Sequence, residues 1–233
     1  MAGSAVALQC RFPTRREPLP SAEKLPLALL DSVAMRIGCR RGQVISQAGW
    51  PTERWYRVLA GAVEKCAILS DGRRQILDLA LPGDFFAFSA RTHGQHFIEA
   101  IVDDTLIACY PRARVEMVAD GNPEVARALH ELALAAAARA ERQILILGQM
   151  TAAEKVVAFL LSMVERLSGD GKDEVTLPVS RYEIADYLAI SAETVSRSLT
   201  ELRHRGAISI EGTRKIRILD RGSFRDFKRS TAL

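Results

Sequence analysis

The chain has 233 residues, 48% of them hydrophobic, 26% charged and 6% aromatic, with a net charge of +4. That length supplies one large or two modest domains with ample core, and no apolar run approaches the length needed to span a bilayer. No secretory segment is recognisable, and Cys10, Cys39, Cys66 and Cys109 form no C-x-x-C pair, so a cytoplasmic protein with reduced thiols and no membrane partner is expected.

Residues 1–24, rich in Pro, Arg and small side chains, read as a loose tail. Leu25 to Ile37 predicts one amphipathic helix. From about Gln43 to Cys109 short β-type runs are broken by glycine. Gly61, Gly72, Gly83 and Gly94 recur every eleven residues, the turn spacing of a small antiparallel barrel or roll. Ser70-Asp71-Gly72-Arg73 predicts a hairpin between Val63–Leu69 and Arg74–Ala80, and Leu81-Pro82-Gly83-Asp84 predicts another break. Residues 25–120 are therefore expected to form one β domain.

Asn122-Pro123 signals a helix start, an N-cap residue followed by Pro at the first helical position, with Glu124 in the first turn. Leu129, Leu132, Ala136, Ala140, Ile144 and Leu147 follow at separations of three or four, in a run without Pro or Gly until Gly148. A helix over 121–149 with one narrow stripe of this kind suits a partner helix, and predicts a homodimer seam. The alternative is that the stripe packs on its own domain. A further helix, Ala152 to Leu167, opens a last unit over 150–233.

That unit is the most informative part of the chain. Ser180 followed by Glu183 is a capping box, and Ile184, Ala185 and Leu188 give the helix behind it an apolar side. Ala189-Ile190-Ser191 reads as a turn whose last residue caps a second helix. There Val195, Leu199 and Leu202 must face inward, leaving Glu193, Thr194, Arg197, Thr200 and Glu201 outward. Two β-type runs, Ala207 to Glu211 and Arg214 to Leu219, flank Gly212-Thr213. The pattern predicts a winged helix-turn-helix. Charge follows it: Ala192 to Leu233 holds ten basic and five acidic residues, a net of +5, so the rest of the chain nets −1.

Glu193 and Arg197 stand one turn apart on a solvent face. An arginine fork matches O6 and N7 of guanine, and a glutamate accepts from N4 of cytosine, so the pair suits a DNA major groove. Thr194 and Ser196 add short hydroxyls for phosphate or a thymine methyl. Ser180, Arg181, Arg203, His204, Arg205, Arg214 and Lys215 are candidates for phosphate contact, which sets register without reading sequence. In isolation, Glu193 and Arg197 would read as an ordinary surface ion pair.

Glu193-Thr194-Val195-Ser196-Arg197 resembles the Glu-x-x-Ser-Arg recognition-helix motif of the Crp/Fnr superfamily of bacterial transcription regulators, and Ile184-Ala185-Asp186-Tyr187-Leu188 is similar to that family's first helix. The Gly-Arg-Arg-Gln-Ile and Leu-Pro-Gly-Asp segments resemble its β-roll. The resemblance is strongest to the Fnr and FixK-like branch. It implies an α+β fold: an N-terminal β-roll joined by a long dimerisation helix to a C-terminal winged helix-turn-helix. It further implies a homodimer binding double-stranded DNA at an inverted repeat of TTGA-type half-sites, activation through RNA polymerase, and no enzymatic activity. Ala192 stands where cAMP-receptor-type members carry Arg, which favours Fnr-type operators. Exposed turns such as Ser70 to Arg74 are candidates for the polymerase contact.

The expected cofactor set is none. Cyclic nucleotide binding in the resembled family needs a Gly-Glu turn and an Arg-Ser or Arg-Thr pair. Here those regions read Gly83-Asp84-Phe85-Phe86 and His96-Phe97-Ile98-Glu99-Ala100, without that Arg and with Glu99 expected to repel a phosphate. An Fnr-type iron–sulfur cluster needs a group of N-terminal cysteines, and only Cys10 stands there. Cys66 and Cys109 are expected to fill the roll's core, and Cys39 beside Arg40-Arg41 is the one thiol in a basic setting. Two alternatives stay open: a haem-based gas-sensing regulator, for which His93 and His96 are the candidate ligands, and a cupin-like small-molecule-binding protein or enzyme, for which four His in all are too few.

Overall fold

In the computed structural model, residues 25–48, 53–88, 95–167 and 173–220 are described. The expected tail, Cys10, His93, Gly94 and the basic residues beyond Asp220 lie outside them. The predicted helix over Leu25 to Ile37 is corrected. Helix α1, Leu25–Ala28, runs into a 3-10 turn, Leu29–Val33, and strand β1, Met35–Cys39, follows. Ala34 turns extended at φ −78° and ψ 141°, and Met35 and Ile37 then pair with Cys109 and Ile107. The ladder satisfies backbone groups that a short, frayed helix would leave to water.

Strands β2 (Val44–Gln47), β3 (Arg54–Ala60), β4 (Val63–Ile68), β5 (Arg74–Ala80), β6 (Phe85–Phe88), β7 (Gln95–Ala100) and β8 (Thr105–Pro111) complete the roll. They form two antiparallel sheets, ordered β1-β8-β3-β6 and β2-β7-β4-β5. Tyr56, Val58, Val63, Ile98, Ile107 and Cys109 fill the space between the sheets. The expected hairpin is present: Leu69 N–H donates to Arg73 at 2.8 Å, and Asp71 Oδ1 accepts from Arg73 N–H at 3.0 Å, with Gly72 at φ +84°. Gly61 is required for a second reason. At φ +80° a Cβ there would stand 2.4 Å from Thr105 Oγ1 and 2.7 Å from its Cα.

Strand β5 carries one extra residue against β4: Lys65 pairs with Asp78 but Cys66 with Ile76, leaving Leu77 unmatched. This bulge resets the alternation. Ile76 and Leu79 pack toward the C-terminal helices, while Leu77, Asp78 and Ala80 line a cavity on the other side.

Helix α2, Arg112–Gly121, was not foreseen; its Val115 packs with Leu30, Tyr110 and Val125. Helix α3, Pro123–Gln149, begins as expected, with Asn122 Oδ1 accepting from the N–H groups of Glu124 at 3.0 Å and Val125 at 3.2 Å. It passes through Gly148. The predicted stripe is divided. Leu129 and Leu132 pack against the chain's own Leu30–Phe85–Tyr110 cluster, and Leu132, Ala136 and Ala140 line the cavity against the roll. An apolar stripe beside a β-roll buries itself locally first. Of the six, Ile144 points outward at 68% exposure and Leu147 is half-buried, while Leu134 and Leu145 are the other large apolar side chains exposed on this helix.

Helix α4, Ala152–Leu167, opens the last unit, followed by β9 (Glu174–Thr176), α5 (Arg181–Leu188), α6 (Ala192–His204), β10 (Ile208–Glu211) and β11 (Lys215–Ile218). Its core of Phe159, Leu160, Ile184, Leu188, Val195, Leu199 and Leu202 is continuous with Cys66, Ile76 and Leu79 of the roll. No helix of the described residues is long and apolar enough to cross a membrane.

Candidate nucleic-acid interface

The two helices of the motif are fixed by their own side chains. Ser180 Oγ accepts from Glu183 N–H at 3.4 Å, and the Glu183 carboxylate accepts from Ser180 N–H, the reciprocal box the sequence predicts. Ala189 ends α5 in the left-handed region at φ +51°, its N–H bonded to Ala185 O. Ser191 Oγ then caps α6 by accepting from Thr194 N–H at 3.0 Å. Val195, Leu199 and Leu202 are buried beneath α6, as their spacing requires.

What remains outside is the opposite face of α6. The Arg197 side chain is 78% exposed and that of Glu193 69%, and the two form an ion pair along the helix. The geometry is that of a solvated surface ion pair, with both side chains free to reach outward from the helix. Thr194 and Ser196 are half-buried and engaged. Thr194 Oγ1 shares a hydrogen bond with Ser191 Oγ at 2.8 Å, and Ser196 Oγ donates to Ala192 O at 2.9 Å while accepting from Arg181 at 3.2 Å. Arg181 thus ties α5 to α6 at the face where both meet solvent. Tyr182, beside it and 76% exposed, was missed from the sequence, where nothing distinguishes it from a core aromatic.

The candidate phosphate contacts divide by their acidic neighbours. Arg203, His204 and Arg205 cluster at the end of α6, exposed, with Arg205 paired to Glu201 at 2.7 Å. Arg214 and Lys215 lie on the wing, whose turn places Gly212 at φ +63°. Among the described residues Arg203 and Arg214 have no ion-pair partner. Lys215 reaches Glu174 at 3.0 Å and Glu211 at 2.9 Å, and Arg217 pairs with Glu174 as well. Hydrogen bonds from Lys215 and Arg217 hold the Glu174 carboxyl below the usual carboxylate range; Lys215 is raised first by its bond to Glu211 and then by that to Glu174, and Arg217 by its bond to Glu174. Strand β9, which delivers Glu174 to the wing by pairing with β11, was also missed. Its three residues give no periodic signal.

The roll grips this unit directly. Arg41 pairs with Glu183 at 2.9 Å, Gln75 Nε2 donates to Asp186 O at 2.7 Å, Gln143 Nε2 to Tyr187 O at 2.8 Å, and Arg166 bonds Leu79 O and Asp84. Glu64, buried, pairs with Arg74 in the same interface, where Arg74 also lies 4.0 Å from Glu99. Burial raises the Asp186 carboxyl, against the lowering effect of Arg74. Glu99 therefore faces the C-terminal unit, and the expectation that it repels a ligand phosphate inside the roll is corrected: the strand's alternation turns Ile98 inward instead. Cys39, Cys66 and Cys109 are buried. Burial pushes the Cys66 thiol up to about 12 and raises that of Cys109. Cys39 is 3% exposed, so its basic sequence neighbours do not make it an accessible thiol. Among the described residues no group of three His, Cys, Asp or Glu could hold a metal ion.

Residues 154–227 match the Crp-like helix-turn-helix domain family, and residues 37–122 the cyclic nucleotide-binding domain family. The chain is 39% identical over 178 residues to the nitrogen fixation regulation protein FixK of Rhizobium meliloti (strain 1021), covering 76% of this chain and 80% of that one. The transcriptional activator protein FnrL of Cereibacter sphaeroides is 30% identical over 200 residues, 83% and 80% of the two chains. The solved structure of FixK2 from Bradyrhizobium japonicum superposes with a TM-score of 0.75 at 36% identity, covering 84% of this chain and 98% of that one. With both domain families matched in order and relatives of this similarity along most of its length, the chain belongs to the Crp/Fnr family of DNA-binding transcription regulators.

Proposed function

We propose that the chain is a sequence-specific, cytoplasmic transcription activator that binds an inverted repeat of TTGA-type half-sites as a homodimer. The observation that carries this reading is the pair Glu193–Arg197, exposed one turn apart on the second helix of the motif with Arg181, Arg203 and Arg214 around it. Arg197 reads a guanine and Glu193 a cytosine on opening their mutual bond. Thr194 and Ser196 supply hydroxyls at the same face, and Ser180, Arg181, Arg203, His204, Arg205, Arg214 and Lys215 hold phosphates. Residues 25–120 form the roll, 121–149 the dimer helix and 150–233 the reader, behind a tail over 1–24.

The dimer is carried by α3, with its seam moved from the stripe the sequence suggests to the outward face of Leu134, Ile144 and Leu145, which lies away from the roll. A two-fold dimer sets the half-sites about one helical turn apart. The activator reading is supported by the likeness to FnrL, a transcriptional activator protein, and RNA polymerase is the partner it requires. Selection of bound fragments from a random DNA pool tests the whole: recovery of an inverted TTGA-type repeat supports it, and recovery of no common sequence overturns it.

A further inference from the structure

The last four carbonyls of an α-helix find no N–H partner within it, and in α5 all four are met from outside. Ala185 O accepts from the N–H of Ala189 and, at 3.1 Å, from that of Ile190. The other three are taken by side chains of three different elements. Gln75 of β5 donates to Asp186 O at 2.7 Å, Gln143 of α3 to Tyr187 O at 2.8 Å, and Lys155 of α4 to Leu188 O at 3.4 Å. Consecutive carbonyls thus bind the roll, the long helix and the first helix of the reader. Gln143 is 7% exposed and Lys155 9%, so these bonds are shielded from water and costly to leave unmade. Gln75 Nε2 also donates to Ile76 O at 3.0 Å, which fixes the amide against its own strand.

Three residues separate this held end from α6. Ala189 turns left-handed, Ile190 bonds back to Ala185 O, and Ser191 caps the reading helix. So short a connection passes the placement of α5 directly to Glu193 and Arg197. Lys155 belongs to the reader itself, whereas Gln75 and Gln143 reach it from outside. Arg41 holds the start of α5 and Arg166 holds α4, but the two glutamines hold the end that runs on into α6. Gln143 also stands next to Ile144 and Leu145, which point outward at 68% and 59% exposure. Helix α3 therefore grips the reader with one side chain and offers the proposed dimer seam with the next two.

We propose that Gln75 and Gln143 are positioning residues for operator recognition: they fix the direction of α6 against the two-fold axis, and so set which half-site spacing a dimer accepts. The proposal rests on the homodimer reading of an inverted repeat. Neither side chain touches DNA. One base pair added between half-sites turns one of them by about 35° and carries it about 3.4 Å along the axis. Reading helices tied at their root to the roll and to the dimer helix do not follow that rotation. Readers held by apolar packing alone have no directional bond to resist it.

The full chain and its Gln75→Leu/Gln143→Leu variant are titrated with inverted repeats at the best spacing and at one base pair closer or farther. The parent chain should prefer its best spacing at least tenfold, and the variant's preference should shrink to about threefold or less. Discrimination at a substituted G·C pair within a half-site should be equal in both, because Glu193 and Arg197 are untouched. Lys155→Met, which loosens α5 inside the reader only, should leave the spacing preference in place. Should the double variant fail to fold by circular dichroism, Gln75→Glu, which replaces the donor by an oxygen, takes its place with the same expectation. A parent chain indifferent to spacing, a variant that keeps the full preference or loses base discrimination with it, or an equal loss in Lys155→Met overturns the proposal. A second measurement needs no DNA. Amide exchange at Ile190 should quicken about threefold to tenfold in the double variant, with the amides of β3 and β8 unchanged. Unchanged exchange at Ile190 overturns the positioning role whatever the DNA result. A parent chain that binds no inverted repeat overturns the operator reading instead, and the exchange result then decides the role of the glutamines.

Discussion

Arg41, in the turn after the first strand, forms an ion pair with Glu183 at 2.9 Å, and Glu183 is also the acid of the capping box that starts the first helix of the reader. One carboxylate therefore serves both the local start of α5 and its attachment to the roll. Arg41 is 47% exposed and Glu183 14%, so the pair alone is worth only about 0.2–1 kcal/mol. Arg41→Ala should lose that much. Glu183→Ala, which also removes the box, should lose about 1–2 kcal/mol. Denaturant unfolding of both variants checks the order, and equal losses would refute the double role.

Arg197→Ala should weaken operator binding by about 1–3 kcal/mol and relax discrimination at one G·C pair. Arg203→Ala, by contrast, should weaken binding to all sequences alike. Competition binding against operators substituted one base pair at a time distinguishes the two outcomes.

Glu174→Gln should release Arg217 to phosphate, while Lys215 keeps its second partner Glu211. The fall of log affinity with log salt should then steepen by about 1 on non-specific DNA. The sign with pH follows from the lowered Glu174 carboxyl. Its contribution is present above the ordinary carboxylate range and is lost as pH falls through the lower folded-state value, so acid should mimic the substitution. Salt titrations of filter or fluorescence binding at two pH values read both effects.

In a Cys10→Ser chain, thiol-labelling reagents at about pH 8 should leave the native protein unmodified and label Cys39, Cys66 and Cys109 together on unfolding, because all three are buried. Burial raises Cys66 to about 12, so its contribution to stability is complete below the unfolded thiol value and declines as pH rises toward 12. Rapid labelling of one native thiol would show that the roll opens there.

Leu145→Lys, on the outward face of α3, should shift the chain toward monomer and abolish operator binding, whereas Leu129→Ala should instead cost about 2–5 kcal/mol of folding stability. Sedimentation of the two variants beside their unfolding curves tests the moved seam.

These contrasts show where the sequence is readable. Caps, turns and hairpins are local: Asn122-Pro123, Ser180 with Glu183 and Asp71-Gly72 all do what their spacing predicts. The inward face of α6 is legible for the same reason. Strand β1 is not, because Met35 and Ile37 extend the apolar spacing of the preceding turn and their partners on β8 lie some seventy residues away. Helix α2 follows directly on Pro111 and buries little but Val115. The two faces of α3 are both rich in small and apolar residues, and only the position of the roll decides which one is spent on its own chain. Glu174 acts through a strand pairing about forty residues long in sequence, which no local window contains.

The unmatched Leu77 has a consequence for how relatives of this chain are to be compared. Leu77 and Asp78 are consecutive yet face the same side, so a protein that lacks one residue at that point of β5 would keep its following side chains on the faces they hold here and line that side with one side chain fewer. A single-codon deletion there would alter the lining of the roll while leaving every turn and every reading side chain as it was.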